Sequence, residues 1–542
     1  MSRITRRQFL SDSFFAAALA STTTALPRAL RAQDAPEAAP EAAPEVGPND
    51  ILNVMVVGCG GRGAGSHIPM FHKLPQTRIA WLCDADRAVL ERAADKVEQM
   101  QGQRPKTTVD MREALGDADL DIVSCATANH WHALCGVWAM QAGKHAYIEK
   151  PICHNIHEGR ALVAAAKKYG VCCQVGSQSR SNPAVVEATQ YIRDGKIGEV
   201  KLARGLCYKR RKAIGPLGQY EVPESVDYNI WSGPAQVLPL TRPQFHYDWH
   251  WQRVYGNGDS GNQGPHQFDI ARVFLGPDVL PNSVITYGGR LGYDVEMNDP
   301  DYVDAGDTAN TEVSIYNFDG GKTLVFETRG LETDSYLTSK IGAIAYGTEG
   351  YVVQQEYGRC AAFNPDGEEI ASFEGGGDEY HFSNFIQCIL DGTPEKLNAD
   401  ARCGHLSASL AHMGNISYYL GEQNRVTVEE LKDYFAHYAS SDDNLDTVDR
   451  TVEHLQANQV DLERTKLSLG PELKFDPVAE HVIDNAAARA MESRDYRGEF
   501  TVPDAREVCP GREPRLRPGG PAATMPLENS RGSRSARCAS HW

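Results

Sequence analysis

Four residues near the start of the chain have the types and spacing to hold a dinucleotide. The apolar run Val54-Met55-Val56-Val57 leads into Gly58-Cys59-Gly60-Gly61-Arg62-Gly63, and a helix pattern continues over Ser66 to Leu74. In a strand, turn and helix of this kind, Gly58 permits the tight turn, Gly60 lets the backbone approach a pyrophosphate, and Gly63 lets helix and strand pack closely. The helix start offers unpaired N–H groups and a positive partial charge to phosphates. The next apolar run, Arg78 to Cys83, ends in Asp84. A carboxylate there can accept a hydrogen bond from the ribose 2′-OH of NAD and would repel the 2′-phosphate of NADP. NAD rather than NADP is therefore the expected cofactor, held by Gly58, Gly60, Gly61, Arg62, Gly63 and Asp84.

Two further segments place polar groups at expected strand exits. They are Thr127-Ala128-Asn129-His130-Trp131-His132 and Glu149-Lys150-Pro151. Ligands of open α/β sheets lie beyond the carboxyl ends of the strands. Thr127, Asn129, His132, Glu149 and Lys150 are thus expected to face the nucleotide. Glu149 has a second reading, in which it only orders Lys150. His130 and His132 have the i, i+2 spacing of metal ligands, but nucleotide contact or packing suits this context better, and no metal is expected. Farther on, Gly256-Asn257-Gly258-Asp259-Ser260-Gly261-Asn262-Gln263-Gly264-Pro265-His266 is a glycine-rich stretch running into a helix with His266 near its start.

The elements that must position these groups follow from periodicity. Between Leu52 and Val175, short β-branched runs alternate with helix patterns, which implies a parallel sheet with helical crossovers. From Gly176 strand runs dominate, among them Val200 to Tyr208, Val284 to Tyr287, Thr311 to Phe318 and Lys322 to Thr328. The fold class expected is an α/β Rossmann domain, then an α+β domain with a large, mostly antiparallel open sheet. The expected boundaries are 51–175 and 176–420, with a mostly helical extension over 421–506 and a disordered, arginine-rich tail over 507–542. Ahead of these, residues 33–50 form a Pro/Ala/Glu linker. Residues 1–32 have the pattern of a twin-arginine export signal, with Arg6-Arg7 before an alanine-rich run, so a periplasmic location is expected.

The 542 residues carry a net charge of −18, which argues against nucleic acid as a partner. No run is long and apolar enough for a stable membrane span. Of the 13 cysteines, Cys83, Cys125, Cys172, Cys173 and Cys207 sit in apolar runs and read as buried thiols. Trp249 and Trp251 suit either stacking on a sugar ring or core packing. The basic run Lys209-Arg210-Arg211-Lys212 suits either an anionic sugar or a solvated surface.

Together these motifs resemble the Gfo/Idh/MocA family, the glucose-fructose oxidoreductase and inositol dehydrogenase group, over roughly Leu52 to Leu420. The resemblance implies hydride transfer between NAD(P) and a carbon of a sugar or polyol, and oligomers formed through the second domain's sheet. It places Lys150 between nicotinamide and substrate. It also implies an aspartate where this chain has Asn262, and a histidine or tyrosine where it has His266. An amide can hold a hydroxyl but cannot take its proton. His266 can, with an ordinary pKa of ~6.5. Lys150 can if its pKa is depressed. His266 is therefore the first assignment as proton acceptor, Lys150 its partner or alternate, and Asn262 a positioning group. Three functions fit: an NAD-dependent sugar or polyol oxidoreductase, an NAD-dependent enzyme that cleaves glycosides by transient oxidation, and a silent sugar-binding protein.

Overall fold

The computed structural model describes residues 51–508. The expected signal and linker, and the tail beyond 508, lie outside the described residues.

Six strands form the first sheet: β1 Leu52–Val57, β2 Thr77–Cys83, β3 Lys106–Thr108, β4 Ile122–Cys125, β5 His145–Ile148 and β6 Cys173–Val175. They lie in the order β3-β2-β1-β4-β5-β6, and every pairing is parallel. The order reverses beside β1, between β1 and β4. That is the switch point where open α/β sheets bind ligands. The strands read as continuous apolar runs because helices cover both faces. Val54 and Val56 pack on one side with Phe71 and Ala94, while Met55 and Val57 pack on the other with Leu134 and Leu162. Helix Ile156–Tyr169 starts at Asn155, whose side chain accepts the Glu158 N–H, and ends at Gly170 in the left-handed region.

The second sheet has twelve strands. The first eight are β7 Val200–Cys207, β8 Ser283–Gly289, β9 Thr311–Phe318, β10 Lys322–Arg329, β11 Ile341–Gly347, β12 Tyr351–Glu356, β13 Arg359–Phe363 and β14 Glu369–Glu374. Their order is β14-β13-β12-β11-β7-β10-β9-β8, and only β7 and β10 run parallel. Helices Gly264–Leu275 and Ala401–Leu420 cover one face through Phe268, Leu410 and Ala411 against Tyr316, Leu324 and Phe326.

The segment 421–506 is less helical than expected. Four short strands, β15 Arg425–Val426, β16 Leu467–Leu469, β17 Leu473–Asp476 and β18 His481–Ile483, join the sheet, with β16 and β17 both on β8. Its helices Val428–Ala436 and Asn444–Ala457 cover the other sheet face. Leu431, Phe435, Val448 and Leu455 pack there on Tyr287, Val313, Ile315 and Val325. A contact between copies through the sheet, as expected from the sequence, would find this part of the face already covered. Strands of two to four residues are too short to show an alternating pattern, which is why they escape a reading of periodicity.

The chain then returns to the first domain. Phe500, Val502 and Val508 join the core around Trp131, Trp138 and Leu162, and the Lys168 ammonium donates to the Val508 carbonyl. Val508 is fully buried, so the packed chain runs past the expected boundary at 507. The cysteines named above are buried and free. Among the described residues no helix is long and apolar enough to cross a membrane.

Candidate active site

The glycine turn leaves room for a pyrophosphate where the sequence places one. Gly58 has φ +85°, and a Cβ there would meet the Ala126 carbonyl carbon at 2.6 Å. A Cβ on Gly63 would stand 1.9 Å from the Gly58 oxygen, so helix and strand touch as required. Gly61 faces open space, with nothing within 4 Å of a built Cβ. Asp84 accepts the Cys59 N–H at 2.7 Å on one oxygen and the Asp86 N–H at 2.9 Å on the other. Each carboxylate oxygen keeps a lone pair for a ribose hydroxyl. Burial raises the Asp84 carboxyl from its ordinary value, and these two N–H bonds act against the shift. These residues fit a dinucleotide.

Glu149 and Lys150 leave β5 in different roles. The Glu149 carboxylate is buried and receives Arg62 Nε at 2.7 Å, His67 Nε2 at 3.1 Å and Gln178 Nε2 at 3.2 Å on one oxygen. Burial opposes its ionisation, but the Arg62 charge and the His67 bond outweigh it and hold the carboxyl well below the usual range. Arg62 also pairs with Asp378 at 3.0 Å. Of the two sequence readings, the one in which Glu149 orders its surroundings matches this geometry. Its carboxylate is engaged by the protein rather than turned to a nucleotide. Arg62 likewise braces β5 from the glycine turn.

Lys150 instead crosses to the second domain. Its ammonium donates to the Asn262 carbonyl at 2.6 Å and lies 3.5 Å from the Asn262 side-chain oxygen. Burial lowers its pKa to about 8; the Arg62, Lys209 and Arg211 charges add to the shift, and Glu149 opposes it. His266, one turn farther along, has a buried Nδ1 without a hydrogen-bond partner among the described residues. Burial first, and the Lys150 charge second, lower the His266 pKa to about 3. Lys150 of the first domain thus meets Asn262 of the second, and its charge reaches His266.

The Thr127 to His132 segment differs from expectation. His132 is buried, and its ring nitrogens meet the Pro151 carbonyl at 2.6 Å and the Thr127 carbonyl at 3.1 Å, tying the exits of β4 and β5 together. The Asn129 amide donates to Asn257 Oδ1 at 3.0 Å. Both side chains thus make contacts to protein groups that the sequence does not suggest. Thr127 remains partly exposed at the cleft, with its hydroxyl beside Cys125 Sγ. His130 meets the Tyr255 and Trp231 carbonyls. Asn257 donates in turn to the His154 carbonyl, and its own carbonyl accepts from Asn415. Asn257 is therefore a bridge between the domains.

Several site residues escape a reading of the sequence. The Lys209 ammonium donates to Gln263 Oε1 at 3.1 Å. Arg211 pairs with Asp259 at 2.9 Å, and its guanidinium also donates to the Tyr247 hydroxyl. Gln263 donates to the Tyr357 hydroxyl, whose ring stands edge-on to His266. His250, stacked on Trp249, has its pKa held well below the usual value by burial first and, among other charges, by Lys150 and Arg211. Trp251 is buried with Ile214 and Ala305 and is a core residue. The one available signal was the basic run after β7, which in isolation looks like a solvated surface.

The fold is a Rossmann domain of the NAD-binding type followed by a mostly antiparallel sheet domain. Residues 52–177 match the Gfo/Idh/MocA model, described as an oxidoreductase family with an NAD-binding Rossmann fold. The chain is 28% identical over 241 residues to levoglucosan dehydrogenase of Pseudarthrobacter phenanthrenivorans, covering 43% of this chain and 54% of that one. It is 30% identical over 209 residues to a glycosyl hydrolase family 109 protein of Shewanella baltica, covering 37% and 45%. The chain thus spans about half the length of these curated relatives. Among solved structures, a putative NADPH-dependent oxidoreductase from Desulfitobacterium hafniense shares the fold, with a TM-score of 0.51, 16% identity, and coverage of 68% of this chain and 96% of that one.

Proposed function

We propose that the protein is an NAD-dependent oxidoreductase acting on a CH–OH group of a sugar or polyol. The observation that carries this reading is the meeting of Lys150 from the Rossmann domain with Asn262 from the second domain, beside the unpartnered His266 Nδ1. NAD supplies the hydride acceptor or donor at its nicotinamide ring. Lys150, with a pKa of about 8, takes the hydroxyl proton as the carbon is oxidised, and returns it in the reverse direction. In this reading Lys150 rather than His266 is the base, because neutral His266, with a pKa of about 3, is the weaker one. His266 and Asn262 then orient the hydroxyl.

A second reading, glycoside cleavage through transient oxidation at the same site, draws on the likeness to the family 109 protein. Both begin with the same hydride transfer. The test combines purified protein with NAD and sugars and polyols, follows NADH absorbance, and separately follows aglycone release from aryl glycosides. Net NADH supports the oxidoreductase; aglycone without net NADH supports cleavage. Failure to bind NADH, or to act on any of these compounds, would sink both readings and favour a silent sugar-binding protein.

Export belongs to the same proposal and rests on Arg6-Arg7 ahead of an alanine-rich run. Replacing both with Lys should leave the precursor in the cytoplasm, and unchanged export would refute it.

A further inference from the structure

The sugar site carries more positive charge than hydride chemistry needs. Three cations converge on the short stretch 258–263: Lys150 on the Asn262 carbonyl, Lys209 on the Gln263 side chain and Arg211 on Asp259. Arg62 stands behind them on Glu149 and Asp378. Each nearby carboxylate is already engaged by an arginine. Lys209 is half-buried, with no carboxylate within ion-pairing distance among the described residues, and its hydrogen bond goes to a neutral amide oxygen. An ammonium has three donors, so two remain for a ligand.

The orientation of the run is selective. Lys209 and Arg211 turn into the cleft, whereas Arg210 between them turns away to Glu296 and Glu332. This division is the ordinary alternation of an extended chain leaving β7, and it puts the ammonium of Lys209 and the guanidinium of Arg211 on the same side. The setting sharpens the contrast, because the chain as a whole carries −18. A cation held partly out of water without a counter-charge is costly unless a ligand brings one.

We infer that the substrate is an anionic sugar whose carboxylate or phosphate is bound by Lys209, with Gln263 fixing the ammonium and Arg211 adding to the field. This rests on the proposed oxidoreductase site and names its substrate class. A carboxylate and a phosphate offer Lys209 the same chemistry, so the experiment has an arm for each.

The experiment uses the full chain loaded with NADH. Binding of D-glucuronate, D-galacturonate, D-gluconate and glucose 6-phosphate is compared with that of glucose, galactose and myo-inositol, followed by turnover with NAD. At least one anionic compound should bind more tightly than every neutral one, and the better arm tells carboxylate from phosphate. Lys209→Met should weaken binding and raise KM for that anion by about 10- to 100-fold, the range of a hydrogen bond to a charged group. Its kcat/KM for neutral sugars should fall less than that for the anion, and Lys209→Arg should restore part of the anion's affinity. Added salt should weaken the anion more than the neutral sugars. The inference is overturned if no anion is preferred, if Lys209→Met affects both classes alike, or if it only moves the pH midpoint of kcat. These failures leave NADH binding and turnover by the parent protein intact, whereas failure of the oxidoreductase reading removes them.

Discussion

Lys150 reaches the backbone of Asn262, not its side chain: Nζ lies 2.6 Å from the carbonyl and 3.5 Å from Oδ1. A carbonyl positions an ammonium without supplying a full counter-charge. Burial, with the nearby Arg62, Lys209 and Arg211 charges, keeps the lysine at a depressed pKa of about 8. An aspartate at 262, as the family pattern has it, would put a formal negative charge within reach of the same ammonium.

Asn262→Asp should therefore raise the Lys150 pKa. A base that must lose its proton before accepting another works above its pKa. The rising limb of kcat for alcohol oxidation, centred near pH 8 in the parent protein, should move to higher pH. A pH–rate profile checks this, and an unchanged midpoint would detach Lys150 from the limb.

Lys150→Ala should lower kcat by ~10²–10⁴-fold, the usual cost of removing a positioned acid or base, while NADH binding persists. His266→Ala should cost less and should leave the pH midpoint in place, because His266 is neutral above about pH 3. Single-turnover kinetics with both variants measure the difference. A midpoint that disappears with His266 but survives loss of Lys150 would restore the histidine as the base.

Asp84→Asn should erode discrimination between the cofactors. The amide keeps an oxygen for the Cys59 or Asp86 N–H but loses the charge that repels a 2′-phosphate. The ratio of NAD to NADP affinity should fall by about 10-fold, on the scale of one charged contact. Fluorescence titration with NADH and NADPH reads it, and an unaltered ratio would move the choice of cofactor elsewhere.

Glu158 couples stability to pH. Buried among the His154 N–H, the Asn155 amide and the Tyr496 hydroxyl, its carboxyl is pushed up to about 7, chiefly by burial, against the Arg494 charge. A folded pKa above the unfolded value means that the native state holds more protons between about 4.5 and 7. The group's contribution is therefore full below that window and lost as pH rises through it. Glu158→Gln should gain stability relative to the parent as pH rises from 5 to 7.5. Parallel melting curves across that range would contradict the assignment.

Truncation separates packed chain from tail. Removing 509–542 should leave Tm unchanged, whereas removing 499–542 strips Phe500, Val502 and Val508 from the core around Trp131 and Trp138 and should lower it by several degrees. Thermal unfolding of the two truncations compares them directly.

The dinucleotide half was legible because its signals are local. A β-branched run, a glycine turn at fixed offsets and an acidic residue at the end of the next strand each follow from the needs of a few neighbouring residues, and the structure keeps them together. Lys150, Asn262 and His266 could also be paired from the chain, once two spaced motifs were recognised as belonging to one family pattern. Long-range partners decided the rest. Glu149 orders the site because Arg62, His67 and Gln178 reach it from three other segments. His132 is held by two carbonyls from separate strand exits, and Asn257 bridges domains that the sequence shows only as distant stretches. For Lys209 and Arg211 the sequence left an anionic ligand and a solvated surface both open, and the fold put them on residues 263 and 259. A charge's neighbours, and hence its pKa and role, are set by packing across the cleft, and no local pattern records them.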